Sequence, residues 1–252
     1  MSLNIFITGA SSGIGEALAY YYSRKHYTIG IAARRNNRLE SVANKCKKLG
    51  GNPILYNIDV SDRKKCKDAI ENFLTITKGI DIVIANAGIG GYDNILSGNP
   101  SEINKIYNIN LLGVTNSVLP FIPKMKEQHS GRIAIISSIA SFRGMPQHGG
   151  YSSSKAALSN LTESWVYTLK PYGISLTTVF PGYIDTEMTV DHDFKMPFLM
   201  SSNKASKIIA NSIQRKRRKL ILPWQWKFII PIFRIIPQFL IYKFAPNQIK
   251  LK

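Results

Sequence analysis

Cysteine is scarce in this chain, and carboxylates run out before its end. Of 252 residues only Cys46 and Cys66 are cysteines. They lie in Lys-rich stretches, 45–48 and 64–67, with no CxxC pair and no histidine at metal-ligand spacing, which argues against a disulfide scaffold or a thiolate metal site. Two reduced thiols at the surface or half-buried are expected, and no metal. An uninterrupted membrane-spanning run is also lacking, because the apolar stretch from Trp224 to Phe244 is broken by Pro231, Arg234 and Pro237. No leader with charged, apolar and small-residue parts is read at the start, where Met1-Ser-Leu-Asn runs straight into Ile5-Phe-Ile7. A cytoplasmic location is therefore expected. The last acidic residue is Asp193, and residues 194–252 carry thirteen Lys and Arg, most of the net charge of +18. Such asymmetry points to a polyanionic partner for the C-terminal part: anionic lipid, nucleic acid or an acidic protein.

What is present is enough for one substantial core, with 44% apolar residues. Short runs rich in Ile, Val and Phe predict strands at 4–8, 28–33, 53–58, 81–86, 132–137, 175–180 and 219–222. Helical stretches between them are expected at 15–25, 38–49, 62–77, 100–128, 152–169 and 202–215. Strand–helix alternation with right-handed crossovers implies an α/β fold, a doubly wound open sheet with helices on both faces.

A glycine-rich turn closes the first strand, Thr8-Gly9-Ala10-Ser11-Ser12-Gly13-Ile14-Gly15, and a helix follows directly. Glycine allows a tight turn and lets the backbone approach a pyrophosphate, whose charge is favoured at the amide-rich positive end of the helix. Placed between first strand and first helix, the turn points to a dinucleotide. An NAD site would want Asp or Glu about twenty residues on, at the end of the second strand, to accept the ribose hydroxyls. That strand ends instead in Ala32-Ala33-Arg34-Arg35. A guanidinium there can clamp a 2′-phosphate through forked, charge-assisted hydrogen bonds, so NADP(H) is expected over NAD, with Arg34 as the main contact and Arg35 beside it. The alternative is that Arg35 and Arg38 only decorate a solvated helix start.

Tyr151-Ser-Ser-Ser-Lys155 opens a helix, and the i, i+4 spacing puts both side chains on one face. A free tyrosine, with a pKa of about 10, shuttles protons poorly near neutrality, and a cationic neighbour lowers it. Ser138 lies just beyond the strand 132–137, at the carboxyl edge where α/β sheets bind ligands, and can hydrogen-bond a substrate oxygen. Together with Asp59-Val60, Asn86-Ala87-Gly88, Asn110 and Pro181-Gly182 followed by Thr186, these residues stand in the order and spacing of the short-chain dehydrogenase/reductase family, which the chain resembles over roughly residues 3–222.

The resemblance implies a Rossmann-like, seven-stranded, mostly parallel sheet in a single catalytic domain, residues 1–222, with 223–252 as a basic, apolar extension. It implies an NADP(H)-dependent oxidoreductase in which hydride passes between nicotinamide and a carbonyl or alcohol. Tyr151 would be the proton donor, Lys155 would bind the nicotinamide ribose and lower the tyrosine's pKa, and Ser138 would polarise the carbonyl. Asn110 would hold a water in a proton relay behind the lysine. Asp59 and Val60 would contact adenine, Asn86, Ala87 and Gly88 the adenosine ribose, and Ile184 and Thr186, after Pro181 and Gly182, the carboxamide. Homodimers or homotetramers would follow.

Segment 187–200 is where the family carries its substrate lid. Its second half is apolar, with Met196, Phe198, Leu199 and Met200. Met196 and Phe198 are the expected contacts of a small apolar ketone, aldehyde or secondary alcohol, loop packing being the plainer alternative. His148 and His192 lie within reach of the cleft, though a solvated role suffices for both. Beyond 222, Trp224, Trp226 and the aliphatics interleaved with Lys and Arg fit a segment lying at the headgroup level of an anionic membrane, or one packed on the protein or a sister subunit. Nothing reads bases, so no nucleic acid is expected. Two competing functions stay open. One is 3-oxoacyl-thioester reduction with an acidic acyl carrier protein on the basic tail; the other is a non-catalytic, cofactor-binding regulatory role.

Overall fold

Strand by strand, the Ile- and Val-rich runs join one parallel sheet in the order β3-β2-β1-β4-β5-β6-β9. These are β1 Asn4–Thr8, β2 Thr28–Ala33, β3 Asn52–Asn57, β4 Ile82–Ala85, β5 Gly131–Ile136, β6 Ile174–Pro181 and β9 Lys219–Leu222. A computed structural model describes residues 2–189, 196–237 and 240 of the chain. All six pairings in this sheet are parallel, so the expected doubly wound α/β architecture is present, parallel throughout rather than mostly so. Strand order reverses between β1 and β4, which opens a crevice at the carboxyl ends of the strands. A second, two-stranded sheet, β7 Ile184–Asp185 with β8 Met200–Ser201, was not readable from the sequence; two residues per strand leave no period to detect.

Both faces of the sheet are buried, as parallel strands require. Ile5 and Ile7 of β1 face one way, toward α1 Gly13–Ser23, α2 Asn36–Lys48 and α8 Ser202–Gln214. Phe6 faces the other, where its ring centroid lies 5.4, 5.3 and 5.1 Å from those of Tyr56, Phe73 and Phe121. That layer is closed by α3 Arg63–Thr77, α5 Gly113–Val118 and α7 Gly149–Leu169.

The single helix expected over 100–128 is instead a chain of short pieces: α4 Ser101–Tyr107, a π-turn Asn108–Leu112, α5, a 3-10 turn Leu119–Phe121 and α6 Ile122–Glu127. Pro120 and Pro123 supply no N–H at the later junctions, and the π-turn sits at Asn110, a candidate site residue. Helices α1, α2 and α7 begin two or three residues before the expected starts, at Gly13, Asn36 and Gly149. Helix α9, Trp226–Ile235, follows β9 within the C-terminal stretch.

The cysteines depart from expectation most plainly. Cys46 and Cys66 are both 0% exposed. Their Lys neighbours point outward, while Leu39, Val42 and Cys46 on α2, and Cys66, Ile70 and Phe73 on α3, share the inward face at helical spacing. Burial raises both thiols, Cys66 to about 11, which leaves them unreactive. The folded protein should therefore show no fast-reacting thiol toward a disulfide reagent at pH 8 and two after guanidinium unfolding. A rapidly labelled native thiol would contradict this packing.

Candidate active site

The glycine turn folds as a cradle. Gly9 and Gly13 both have positive φ, 65° and 59°, a region that side chains avoid. A Cβ on Gly9 would fall 2.7 Å from Ala87 Cα, so only glycine lets the two loops meet here. Asn86 fastens the junction: its Nδ2 donates to the carbonyls of Thr8 and Gly9, each at 3.1 Å, while its N–H and that of Ala87 donate to Thr8 Oγ1. Thr186 closes the other side, its methyl 2.9 Å from where a Gly13 Cβ would be. Glycine at 9 and 13 lets the turn sit this close to Ala87 and Thr186, and Ser12, N-cap of α1, makes no capping hydrogen bond to the helix, a combination that suits the close approach of a dinucleotide phosphate.

Arginines at the end of β2 have protein partners. Arg34 Nη1 lies 3.4 Å from Asp59, and Arg35 bonds Glu187, Ser11 and Ser12. Burial alone would raise Asp59, but the N–H and hydroxyl of Ser61 and the Arg34 guanidinium together hold it below the usual carboxylate range. Val60 is buried, and its methyl blocks any Cβ at Gly113. Ile184 is buried in β7.

Ser138, Tyr151, Lys155 and Asn110 gather past the end of β5. Ser138 begins the 3-10 turn Ile139–Phe142, its Oγ accepting from Ala140 N–H at 3.1 Å and hydrogen-bonded to Tyr151. Lys155 is 4% exposed, and its Nζ donates to the carbonyl of Ile136 at 2.9 Å. Asn110, fully buried in the π-turn, accepts from Ile89 N–H at 2.8 Å and donates to Ile89 O and Ser154 Oγ. A Cβ on Gly88 would stand 3.2 Å from Asn110 Oδ1 and 3.3 Å from Lys155 Nζ, so this glycine keeps the ammonium and the amide open to each other. The electrostatics differ from the expected tyrosinate stabilisation. Burial pushes Tyr151 up, opposed by the Ser138 hydrogen bond, and burial drops Lys155 to about 8. Desolvation, not the lysine's charge, therefore sets the direction of the phenol's shift.

Two supporting residues carry no signal in the sequence. Asp93, in the loop after β4, accepts from Gly150 N–H at 2.8 Å and so fastens the first turn of α7 at the residue next to Tyr151. Ser154 links Asn110 to the Tyr151 carbonyl. Phe198, a candidate substrate contact, packs on Trp226 of α9 with ring centroids 6.1 Å apart, and Trp226 also meets Tyr183 at 6.0 Å. The indole nitrogen would lie 2.5 Å from a Cβ at Gly182, so the extension packs directly against the Pro181-Gly182 bend. Met196 is half-buried. His148 packs on Tyr92 with tilted rings and lies by the Pro146 carbonyl; His192 lies outside the described residues.

A doubly wound sheet with a glycine cradle at its reversal point, beside a Ser, Tyr and Lys cluster, defines a nicotinamide-nucleotide oxidoreductase architecture. The family model for short chain dehydrogenases matches residues 3–196. The chain is 33% identical over 247 residues to 11-beta-hydroxysteroid dehydrogenase-like 3 of Arabidopsis thaliana, covering 94% of this chain and 79% of that one. Among solved structures it superposes on a 3-ketoacyl-ACP reductase from Sinorhizobium meliloti (TM-score 0.80, 25% identity, 87% and 96% of the two chains). An alcohol dehydrogenase from the archaeon Thermococcus sibiricus complexed with 5-hydroxy-NADP matches similarly (TM-score 0.80, 26% identity, 88% and 96%). The chain belongs to the short-chain dehydrogenase/reductase family, oxidoreductases acting on CH–OH and C=O groups with a nicotinamide cofactor.

Burial of Lys155 has a thermodynamic consequence. Its fall from 10.5 to about 8 corresponds to roughly 3 kcal/mol of unfavourable charge burial. Below about pH 8 folded and unfolded chains both carry the proton and this cost is borne in full. Between about 8 and 10.5 the unfolded chain holds more protons, so the group's contribution makes stability rise with pH. Lys155→Met, after allowing about 1 kcal/mol for the Ile136 carbonyl it strands, should raise neutral-pH stability by about 1–2 kcal/mol in urea unfolding and flatten that rise. A variant no more stable than the parent would show the ammonium to be better solvated than described.

Proposed function

We propose that this chain is an NADP(H)-dependent reductase or dehydrogenase of apolar ketones and aldehydes or their secondary alcohols. Supporting the reading above all is the Ser138–Tyr151–Lys155 cluster beside the glycine cradle. A bound nicotinamide supplies or accepts the hydride at the carbonyl carbon. Ser138 Oγ hydrogen-bonds the carbonyl oxygen, and Tyr151 delivers the proton there. Lys155 holds the nicotinamide ribose, and Asn110, beside it across Gly88, orders the water through which the tyrosine regains its proton. Asp59 and Val60 line the adenine, Asn86, Ala87 and Gly88 the adenosine ribose, and Pro181, Gly182, Ile184 and Thr186 the carboxamide.

NADP(H) is favoured because β2 ends in Arg34 and Arg35 with no acidic residue at the strand's end. An apolar substrate is favoured by Met196 and by Phe198 leaning on Trp226. The Arabidopsis relative's hydroxysteroid name agrees with that class; the acyl carrier protein reductase among the structural neighbours keeps 3-oxoacyl thioesters as the second reading.

We read residues 1–222 as the catalytic domain, assembled as a homodimer or homotetramer, and the extension as its contact with an anionic membrane. No helix among the described residues is long and apolar enough to cross a bilayer. On α9, however, Phe228, Ile232 and Ile235 lie at i, i+4 and i+7 and are 67%, 61% and 81% exposed, with Lys227 and Arg234 on the same helix. An apolar stripe flanked by cations suits a headgroup region. The other face of α9 is occupied by protein: Trp226 packs on Gly182, and Arg143 hydrogen-bonds the carbonyls of Phe233 and Ile236.

Tyr151→Phe should lower turnover by roughly 10²–10⁴-fold while leaving nucleotide affinity unchanged, measured as NADPH consumption over a panel of apolar carbonyls and 3-oxoacyl thioesters; retained activity on the best substrate rules out this acid. Replacing Phe228, Ile232 and Ile235 together with Ser should abolish flotation with phosphatidylserine vesicles. Equal flotation of parent and variant rejects the membrane reading.

A further inference from the structure

Glu187 draws together parts of the chain that are far apart in sequence. Its Oε2 accepts from Arg35 Nη1 at 2.7 Å, and its Oε1 accepts from Arg38 Nη1. Ser12 also hydrogen-bonds it. Arg35 in turn donates through Nη2 to Ser12 Oγ at 2.8 Å and Ser11 Oγ at 3.2 Å, so the guanidinium lies on the glycine turn itself. Ser12 is the N-cap of the eleven-residue helix α1 and leaves that helix end uncapped. Two guanidinium groups and the hydroxyl at the N-cap of α1 thus converge on one carboxylate. Such a donor set matches a phosphate in charge and geometry. With Arg34 engaged by Asp59, all three arginines of the β2–α2 junction already carry carboxylate partners.

We propose that Glu187 is a built-in competitor for a cofactor phosphate: its carboxylate fills the anion seat made by Arg35, Arg38 and Ser12, and the nucleotide must displace it to bind. The seat takes a phosphate group, and the dinucleotide offers two, the 2′-phosphate and the pyrophosphate. Only the first of these rests on the NADP(H) reading above. Glu187 is a determinant of nucleotide affinity, and its effect runs opposite to that of an ordinary contact residue, since removing its charge strengthens binding. Its side chain is 43% exposed, so losing the charge leaves the core untouched.

The test measures NADPH and NADH dissociation constants by titration of the full-length parent, Glu187→Gln and Glu187→Ala at low salt. Both variants are expected to bind NADPH about three- to tenfold more tightly, the size expected for freeing two partly exposed guanidiniums. Tightening confined to NADPH assigns the seat to the 2′-phosphate; equal tightening for NADH assigns it to the pyrophosphate. In an Arg35→Gln background the gain from Glu187→Gln should shrink toward none. Unchanged or weaker affinity for both nucleotides in both variants overturns the proposal. Arg34→Asp, assayed in parallel, tests the NADP(H) reading separately: an unchanged NADPH-to-NADH preference defeats that reading, while the Glu187 result still stands or falls by itself.

Discussion

An ammonium group taken out of water must find acceptors, and Lys155 finds the carbonyl of Ile136 at the end of β5. That hydrogen bond ties α7 to the sheet, and the sheet edge to the catalytic cluster. Around it the same two elements are stitched again, Ser137 Oγ donating to the Lys155 carbonyl at 2.9 Å. Tyr151 takes its position one turn earlier on the helix, with Ser138 opposite. The arrangement is costly, because burial weakens the lysine's hold on its proton. Such cost at a site where stability alone favours an apolar side chain is a mark of function.

The surrounding loops keep that cluster in register. Asp93 fastens the N-terminal turn of α7, and the π-turn swings Asn110 inward so that its amide joins Ile89 to Ser154. Small residues at the contacts allow the close approach. Gly88 separates Asn110 from Lys155 without filling the space, and Gly182 admits the Trp226 indole. Cofactor side, catalytic side and C-terminal helix are thus parts of one packed assembly at the carboxyl ends of the strands.

Charge is distributed in keeping with this division. At the carboxyl end of β2 carboxylates and guanidiniums are matched, Asp59 with Arg34 and Glu187 with Arg35 and Arg38. Past Asp193 no carboxylate occurs to match the cations, and α9 turns apolar side chains outward among them. Balanced charge suits an exchangeable phosphate seat; unbalanced charge suits an extended anionic surface.

Much of this was legible in the residues themselves. Apolar runs at strand length, helical stretches between them and a glycine turn at the first junction determine a doubly wound sheet, because local periodicity and crossover handedness leave few alternatives. The set of Ser138, Tyr151 and Lys155 was readable through the family resemblance it carries, since a Tyr and a Lys four apart on a helix would by themselves be an ordinary surface pair. Three-dimensional packing decided the rest. Lys-rich flanks around Cys46 and Cys66 suggested exposed thiols, yet which face of a helix turns inward depends on what lies beneath it. Proline positions inside 100–128 were visible, but the π-turn that carries Asn110 to Ile89 and Ser154 was not. Glu187 and Arg35, 152 positions apart, meet only because parallel crossovers bring the ends of β2 and β6 to one edge. Desolvation is a property of surroundings rather than of residue type, so only the tertiary structure reveals that burial, more than the neighbouring lysine, governs the phenol of Tyr151.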